Sequence, residues 1–132
     1  MSKCSIIIPH FNGENILYRC LNSIYNHTKE KHEVIVVDNA SSDNSISMVQ
    51  QKFPKTKIIS NKRNLGYAGA CNIGAEKSDT NFLVFLNNDT EVSKNWLEPL
   101  LESLKDKSVS SVQPKIKNML DKDSFDYAGA SG

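Results

Sequence analysis

The sequence lacks a strong charge of either sign. Its 16 basic and 15 acidic residues leave a formal net charge of +1 at pH 7. So small a net charge supplies no long-range field, which argues against a nucleic acid or an anionic membrane as the main partner. It also lacks any apolar run of about 18 residues, the length that a membrane helix needs, and an apolar leader segment. We therefore expect a soluble, cytoplasmic chain with no transmembrane segment, and 132 residues fit one domain.

Cysteine is scarce too. Cys4, Cys20 and Cys71 are odd in number, have no metal-type spacing and sit within apolar patterns, so we expect three buried free thiols.

Two phosphate-binding signatures are missing. The pattern Gly-x-Gly-x-x-Gly does not follow the first predicted strand, where Pro9, His10 and Phe11 stand instead, and a Gly-Lys-Ser or Gly-Lys-Thr loop is absent. These absences argue against a dinucleotide-binding Rossmann domain and a P-loop protein. The acidic pair that a phosphoacceptor receiver domain needs after its first strand is missing as well.

What the sequence does contain is an alternation of short apolar runs with stretches of helical periodicity. The runs predict strands at 5–9, 33–37, 57–60, 82–86 and 109–113. Pro9 should end the first strand, and the run at 82–86 should be buried on both faces. One helix should begin at Glu14, and a second should bury Ile46, Val49 and Phe53. A stretch rich in small residues between Ala68 and Ala75 predicts a third helix, and Trp96 to Leu104 predict a fourth. This order predicts an α/β fold with a mainly parallel sheet flanked by helices on both faces.

Polar residues follow the four main strands, and the carboxyl ends of parallel strands meet at one edge of a sheet. Each residue alone has a local explanation, since Asp38 fits a turn and Asp89 fits a helix cap or an Asx turn. Independent caps have no reason to gather at one edge, so their joint placement favours a binding site. The segments concerned are 9–12, 38–39, 61–64 and 87–89.

These segments resemble family 2 glycosyltransferases with the GT-A fold, whose nucleotide-binding half is Rossmann-like. The resemblance rests on four motifs in order, which reach to about Lys115: Ile6 to Gly13, Val36 to Asp43, Asn61 to Gly74 and Phe85 to Asp89. The last two motifs are also similar to the branch that contains rhamnosyltransferases and other enzymes of cell-surface polysaccharide biosynthesis.

The resemblance implies a binding site for a nucleoside-diphosphate sugar, with a UDP- or dTDP-sugar favoured. Asp38 matches the position that accepts a hydrogen bond from N3–H of uracil or thymine. Asp89 matches the ligand of a divalent metal, Mn²⁺ or Mg²⁺. The other matching positions are Pro9 and Phe11 beside base and ribose, Asn12 and Glu14 nearby, Arg63, Asn64 and Gly66 on the third loop, and Asn87 and Asn88 on the fourth.

One position departs from the family pattern. The family usually shows Asp-x-Asp where this chain has Asn87, Asn88 and Asp89, so an amide replaces one carboxylate. Asn87 can still offer a carbonyl oxygen or bind the donor ribose. A divalent cation favours such hard oxygen ligands and stabilises charge on a diphosphate leaving group.

The resemblance further implies inverting transfer to a glycan or a lipid-linked acceptor. The general base of such enzymes is an Asp or Glu, expected here beyond Gly132, so residues 1–115 are interpreted as the nucleotide-sugar part and 116–132 as the start of an incomplete acceptor part. The full-length protein would then act in the cytoplasm or at the inner membrane face. The alternative is a non-catalytic module that binds sugar nucleotides or a partner. A nucleotidyltransferase would need a Gly-rich basic loop after the first strand, which Phe11 to Gly13 does not supply.

Overall fold

Four parallel strands form the centre of the first of two compact units, Met1–Ser93 and Lys94–Gly132. The computed structural model describes residues 4–105 and the backbone of 116–117 and 125–127. The strands lie in the order β3-β2-β1-β4, which confirms the α/β class and the parallel sheet. In chain order the elements are β1 (Cys4–His10), α1 (Glu14–His27), β2 (His32–Asp38), α2 (Ser45–Lys52), β3 (Lys57–Ser60), α3 (Gly66–Glu76) and β4 (Phe82–Phe85).

The register of the strands sets where the polar residues emerge. β1 pairs with β2 along its whole length and ends with His10 beside Asp38, which in turn pairs with Ser60 of β3. β4 pairs with β1 only as far as Phe85 beside Ile7. The carboxyl ends of β1, β2 and β3 are therefore level, and the segment after β4 leaves the sheet earlier.

Pro9 lies inside β1, contrary to the expectation that it ends the strand. Ile7 C=O accepts a hydrogen bond from Leu86 N–H, and the C=O of His10 accepts one from Asn39 N–H next to β2. Backbone polar groups alternate between the two sides of a strand, so Pro9 faces the β4 side. Pairing with β4 has already ended there, so the missing N–H of Pro9 interrupts no ladder.

Alternation along the strands divides the core between the two faces of the sheet. On one face Ile7, Ile35 and Val37 are fully buried against Ala70 of α3. Gly74 lets α3 approach closely, since a Cβ atom there would lie within 3 Å of the side chain of Ile7. The opposite face is covered by α1 and α2, and its buried residues are Ile6, Ile8, Val34 and Val36 from the sheet and Leu17, Cys20, Leu21, Ile24, Met48 and Val49 from the helices.

Two burial expectations are wrong. Among the described strands β4 is the last of the sheet, and Leu83 and Phe85 are exposed on one of its faces, so the run is not buried on both faces. Three residues were expected to be buried by α2, and only Val49 is fully buried. Ile46 and Phe53 are half-buried, and Met48 is buried instead.

The second unit contains α4 (Leu97–Leu104), with Pro99 in its first turn, and an antiparallel pair of short strands, β5 (Ile116–Lys117) and β6 (Phe125–Tyr127). The strand expected at 109–113 lies outside the described residues. Over the part of the chain that the structure describes, every helix is too short or too polar to cross a membrane. Cys4 and Cys20 are buried free thiols as expected, whereas Cys71 is a free thiol that is only half-buried.

Candidate functional site

The turn after β1 is held to the loop after β2 by hydrogen bonds in both directions. Asn12 N–H donates to Ser41 Oγ at 2.8 Å, and Asn12 Oδ1 accepts from Ser42 N–H at 2.8 Å. Gly13 N–H donates to the Asp43 carboxylate at 2.7 Å. Asn12 and Gly13 both have positive φ, which Asn and Gly adopt most readily. Asn12 therefore shapes the site, and its amide is largely engaged with the protein itself.

Asp43, in the loop after β2, is the acceptor that anchors this turn. Burial of its carboxyl acts to raise its pKa, but hydrogen bonds from Ser45 and from Gly13 N–H outweigh that effect and lower the pKa to about 2. Asp43 is consequently ionised at neutral pH.

Asp38 ends β2 and is 5% exposed. Its two carboxylate oxygens share one donor, Ser41 N–H, at 3.3 Å each. Ala40 between them adopts a left-handed conformation with φ of 66°, unusual for a residue with a Cβ. Asp38 thus forms the expected turn, and the bonds are long enough to leave its carboxylate with much of its acceptor capacity.

Asn39 is a buried residue that sequence reasoning placed at the edge without giving it a role. It is 4% exposed, and its side chain makes two hydrogen bonds to the β3–α3 loop and one to the first residue of α3. Oδ1 accepts from Asn61 Nδ2 at 2.9 Å and from Leu65 N–H at 3.3 Å, while Nδ2 donates to Gly66 C=O at 3.1 Å. Asn39 therefore fixes the path of the loop that carries Arg63 and Asn64.

His10 is a second residue without an assigned role. It ends β1, is 2% exposed, and its Nδ1 lies 3.0 Å from Nδ2 of Asn88. Burial lowers the pKa of the His10 imidazole below its ordinary value, although the carboxylates of Asp38 and Asp43 act to raise it. The ring is therefore neutral at pH 7, and its Nδ1 accepts from the Asn88 amide.

The segment after β4 carries the side chains expected to meet a metal. Asn87 and Asp89 are exposed, and Asn87 C=O accepts a turn hydrogen bond from Thr90 N–H. Within residues 4–105, groups of three His, Cys, Asp or Glu side chains that could enclose a metal are absent. An exposed carboxylate two residues from an exposed amide still fits Mg²⁺ or Mn²⁺, because these ions commonly take one or two protein carboxylates and complete their shell with phosphates and water. The residues therefore suit a metal that arrives with a phosphorylated ligand.

The remaining candidate residues differ in their exposure and in their contacts. The ring of Phe11, next to the end of β1, is 49% exposed and is available for stacking. Arg63 is exposed on the β3–α3 loop, and Asn64 accepts from Gly66 N–H at 2.8 Å, which is a local structural role. Glu14 begins α1 and lines a surface groove between α1 and α2. Asn44 and Lys52 also line this groove.

The described residues thus form one edge at which a buried carboxylate, an exposed carboxylate and an exposed aromatic ring stand on connected loops. Such an edge of a parallel α/β sheet is where ligands of these folds bind. The arrangement defines the class of a parallel α/β domain with a candidate ligand site at the carboxyl ends of its strands.

Comparison with known proteins identifies the family within that class. The family model "Glycosyl transferase family 2" matches residues 5–128, and the chain belongs to this family. Among curated relatives, human polypeptide N-acetylgalactosaminyltransferase 16 is 32% identical over 128 residues, which cover 96% of this chain and 23% of that protein.

Two solved structures share the fold. S. aureus TarS in complex with UDP superposes with a TM-score of 0.70 at 26% identity, over 79% of this chain and 32% of that one. The mannosyltransferase PcManGT from Pyrobaculum calidifontis, in complex with GDP-Man and Mn²⁺, gives a TM-score of 0.75 at 24% identity, over 81% of this chain and 33% of that one. The chain therefore spans 23% to 33% of the length of these three matched chains. The expected GT-A fold is confirmed.

Proposed function

We propose that this chain is the donor-binding part of a glycosyltransferase that moves a sugar from a nucleoside-diphosphate sugar to a hydroxyl group, with inversion at the anomeric carbon. The observation that carries the proposal is the buried carboxylate of Asp38, whose described hydrogen bonds come from one N–H group at 3.3 Å. Buried carboxylates normally have their acceptor capacity satisfied. A ligand N–H donor is the partner that such a carboxylate can accommodate.

The N–H group that bonds to Asp38 is proposed to belong to the base of the nucleotide sugar. N3–H of uracil or thymine presents one hydrogen to Asp38, while the ring of Phe11, which is exposed, supplies a stacking surface; Pro9 is buried within β1. The complex of TarS with UDP supports a uridine nucleotide. A UDP- or dTDP-sugar is therefore the favoured substrate. Guanine also presents N–H donors to a carboxylate, so a GDP-sugar is the competitor to test.

Asp89, with the side-chain oxygen of Asn87, is proposed to hold Mn²⁺ or Mg²⁺ together with the diphosphate. Such a cation stabilises the charge that builds on the leaving group. The presence of Mn²⁺ in a glycosyltransferase of the same fold supports this assignment. Arg63 contributes a forked donor for phosphate oxygens, Asn64 and Gly66 set the backbone of its loop, and Asn88, Asn12 and Glu14 complete the surroundings.

The acceptor is proposed to be a glycan or a lipid-linked glycan, and the general base an Asp or Glu outside residues 1–132. In this proposal residues 1–115 bind the donor, residues 116–132 begin the acceptor part, and the protein works in the cytoplasm or at the inner face of a membrane in polysaccharide biosynthesis. The competing function is a module that binds sugar nucleotides without transfer, which the amide at Asn87 favours.

Calorimetric titration of the chain tests the donor site directly. The ligands are UDP, dTDP, GDP and uridine, each with and without Mn²⁺. We expect UDP or dTDP to bind more tightly with Mn²⁺, and uridine, which lacks phosphate, to bind equally with and without it. Failure of all three diphosphates to bind would overturn the proposal. Transfer or donor hydrolysis by the full-length protein separates an enzyme from a binding module.

The variant Asp38→Asn tests base recognition, because it replaces one acceptor oxygen by an amide donor at constant size. We expect a loss of UDP affinity of about 10- to 100-fold, the range for one hydrogen bond to a charged group, and no loss for CDP, whose cytosine ring has no N3–H. Asp79→Asn, on the exposed loop before β4 at the opposite edge, is the matched control. An equal loss for UDP and CDP would remove Asp38 from base recognition.

The variant Asp89→Asn tests the metal role separately. Asp89 is exposed, so the fold should be retained, and the gain in UDP affinity on adding Mn²⁺ should disappear, while metal-free binding should not fall because one repelling carboxylate is removed. A retained gain would exclude Asp89 as the metal ligand.

A further inference from the structure

His10 contacts the neighbouring strand end and the segment after β4. Its C=O accepts from Asn39 N–H at 2.8 Å, which joins it to the residue that fixes the β3–α3 loop. Its ring Nδ1 is 3.0 Å from the amide of Asn88, which lies 78 residues further along the chain. His10 therefore links the proposed base side of the site to the proposed metal side.

The backbone alone leaves the segment after β4 weakly held. Pairing between β1 and β4 ends with Ile7 beside Phe85, and the next hydrogen bond, from Leu86 N–H to Ile7 C=O, is the last described backbone bond from this segment to β1. Two side-chain contacts come next: the Cys20 thiol lies 3.9 Å from Asn87 C=O, and His10 Nδ1 lies 3.0 Å from Nδ2 of Asn88, directly before Asp89. A thiol is a weak donor, so the contact between His10 and Asn88 is the stronger of the two.

The buried imidazole has an energetic cost that an apolar side chain of similar size would avoid. Nε2 of His10 is buried and has no hydrogen-bond partner among the described residues. Such an unsatisfied polar group is unfavourable in the folded state. The only feature in the described structure that the ring offers and an apolar side chain could not is the acceptor at Nδ1 for Asn88.

We propose that His10 is a positioning residue, whose Nδ1 holds Asn88 and thereby orients Asn87 and Asp89 toward the diphosphate and its metal. The proposal rests on the proposed function, since it assigns His10 a part in the metal-dependent share of nucleotide binding. His10 touches neither ligand in this scheme and acts only through Asn88.

Two substitutions separate the roles of the ring nitrogens. The side-chain amide of His10→Asn reaches the position of Nδ1, whereas that of His10→Gln reaches toward the position of Nε2. We expect His10→Gln to reduce the gain in UDP affinity on adding Mn²⁺ by about tenfold, one hydrogen bond's worth, and to leave metal-free UDP binding unchanged. His10→Asn should retain most of the wild-type gain in UDP affinity on adding Mn²⁺. A purely structural role for His10 would move both affinities together.

His32→Gln is the matched control, because His32 also bonds through Nδ1, to Glu30 C=O, but at the start of β2 away from the site. Asn88→Ala provides a variant at a half-buried position that avoids disturbing the core, and it should reproduce the loss seen in His10→Gln. The double variant should show no further loss, because both changes remove the same contact.

The contact can also be observed without ligand. In NMR spectra of the unliganded chain, the side-chain amide protons of Asn88 should be shifted and protected from exchange, and His10→Gln should abolish both effects while His32→Gln does not. A wild-type chain that binds UDP without any gain from Mn²⁺ would overturn the proposed metal role and this proposal together. A normal gain that His10→Gln retains, or additive losses in the double variant, would overturn this proposal alone.

Discussion

Replacing Asn39 by alanine removes three side-chain hydrogen bonds from the end of β2 at once. The bonds go to Asn61, Leu65 and Gly66, and each is worth about 0.5–1.5 kcal/mol net. The partners are exposed or half-buried and can regain water when Asn39 is truncated, so the lower part of the range applies. We expect Asn39→Ala to lower the free energy of unfolding by about 2 kcal/mol, a large share of the roughly 5–15 kcal/mol of a typical domain.

Urea unfolding followed by far-UV circular dichroism measures this loss. Asn26→Ala is the matched control, because Asn26 is exposed on α1 and makes one long bond, 3.3 Å, to Asn22. The control should stay within about 0.5 kcal/mol of the wild-type value, as surface substitutions usually do. Under native conditions Asn39→Ala should also weaken UDP binding with and without Mn²⁺, because the loop that carries Arg63 is no longer fixed. A loss of stability no larger than that of the control would refute the assigned role of Asn39.

Two further substitutions test the packing of α3 and the turn after β1. Gly74→Ala should destabilise the chain by about 1–3 kcal/mol in the same urea assay, because the new methyl group would overlap the stiff, buried side chain of Ile7. If Gly74→Ala destabilises the Ile7→Ala variant as much as it destabilises the wild type, the overlap is not the cause. Asp43→Asn should flatten the loss of stability on acidification. The pKa of Asp43 is about 2 in the folded chain, below its unfolded value, so its contribution is present above pH 4 and is lost as pH falls from 4 to 2. Equal pH dependence of wild type and variant over that interval would contradict this.

Local pattern was sufficient for most of the fold because the apolar runs and the helical periods coincide with single elements. α1 begins at Glu14 as its spacing predicts, and β3 has the predicted bounds. The exposure of Phe85 was not predictable, since whether a strand lies at the edge of a sheet depends on which strands pair. Pro9 failed the local rule for the same reason, because its effect depends on where the pairing with β4 stops.

The site was predictable as an edge but not as a network. Asp38 ends β2, Phe11 directly follows β1 and Asp89 lies shortly after β4. The carboxyl ends of parallel strands meet at one edge whatever the details of the loops. The partners of Asn39 lie 22 to 27 residues away, and the partner of His10 lies 78 residues away, so nothing adjacent in the sequence announces them. A histidine within an otherwise apolar strand end was the one available signal for His10.

The charges at this edge explain why base recognition and phosphate binding should respond differently to a cation. Asp38, at the end of β2, and Asp43 and Asp89, on the loops after β2 and β4, place three carboxylates here, whereas the positive charges of the β3–α3 loop are the exposed side chains of Lys62 and Arg63. A diphosphate adds further negative charge, and exposed cations are strongly screened by water and salt. A neutral uracil ring needs only an acceptor and a stacking surface. The affinity for uridine therefore reports the protein's own contacts, and the difference between UDP and uridine reports how far a divalent cation offsets carboxylate repulsion.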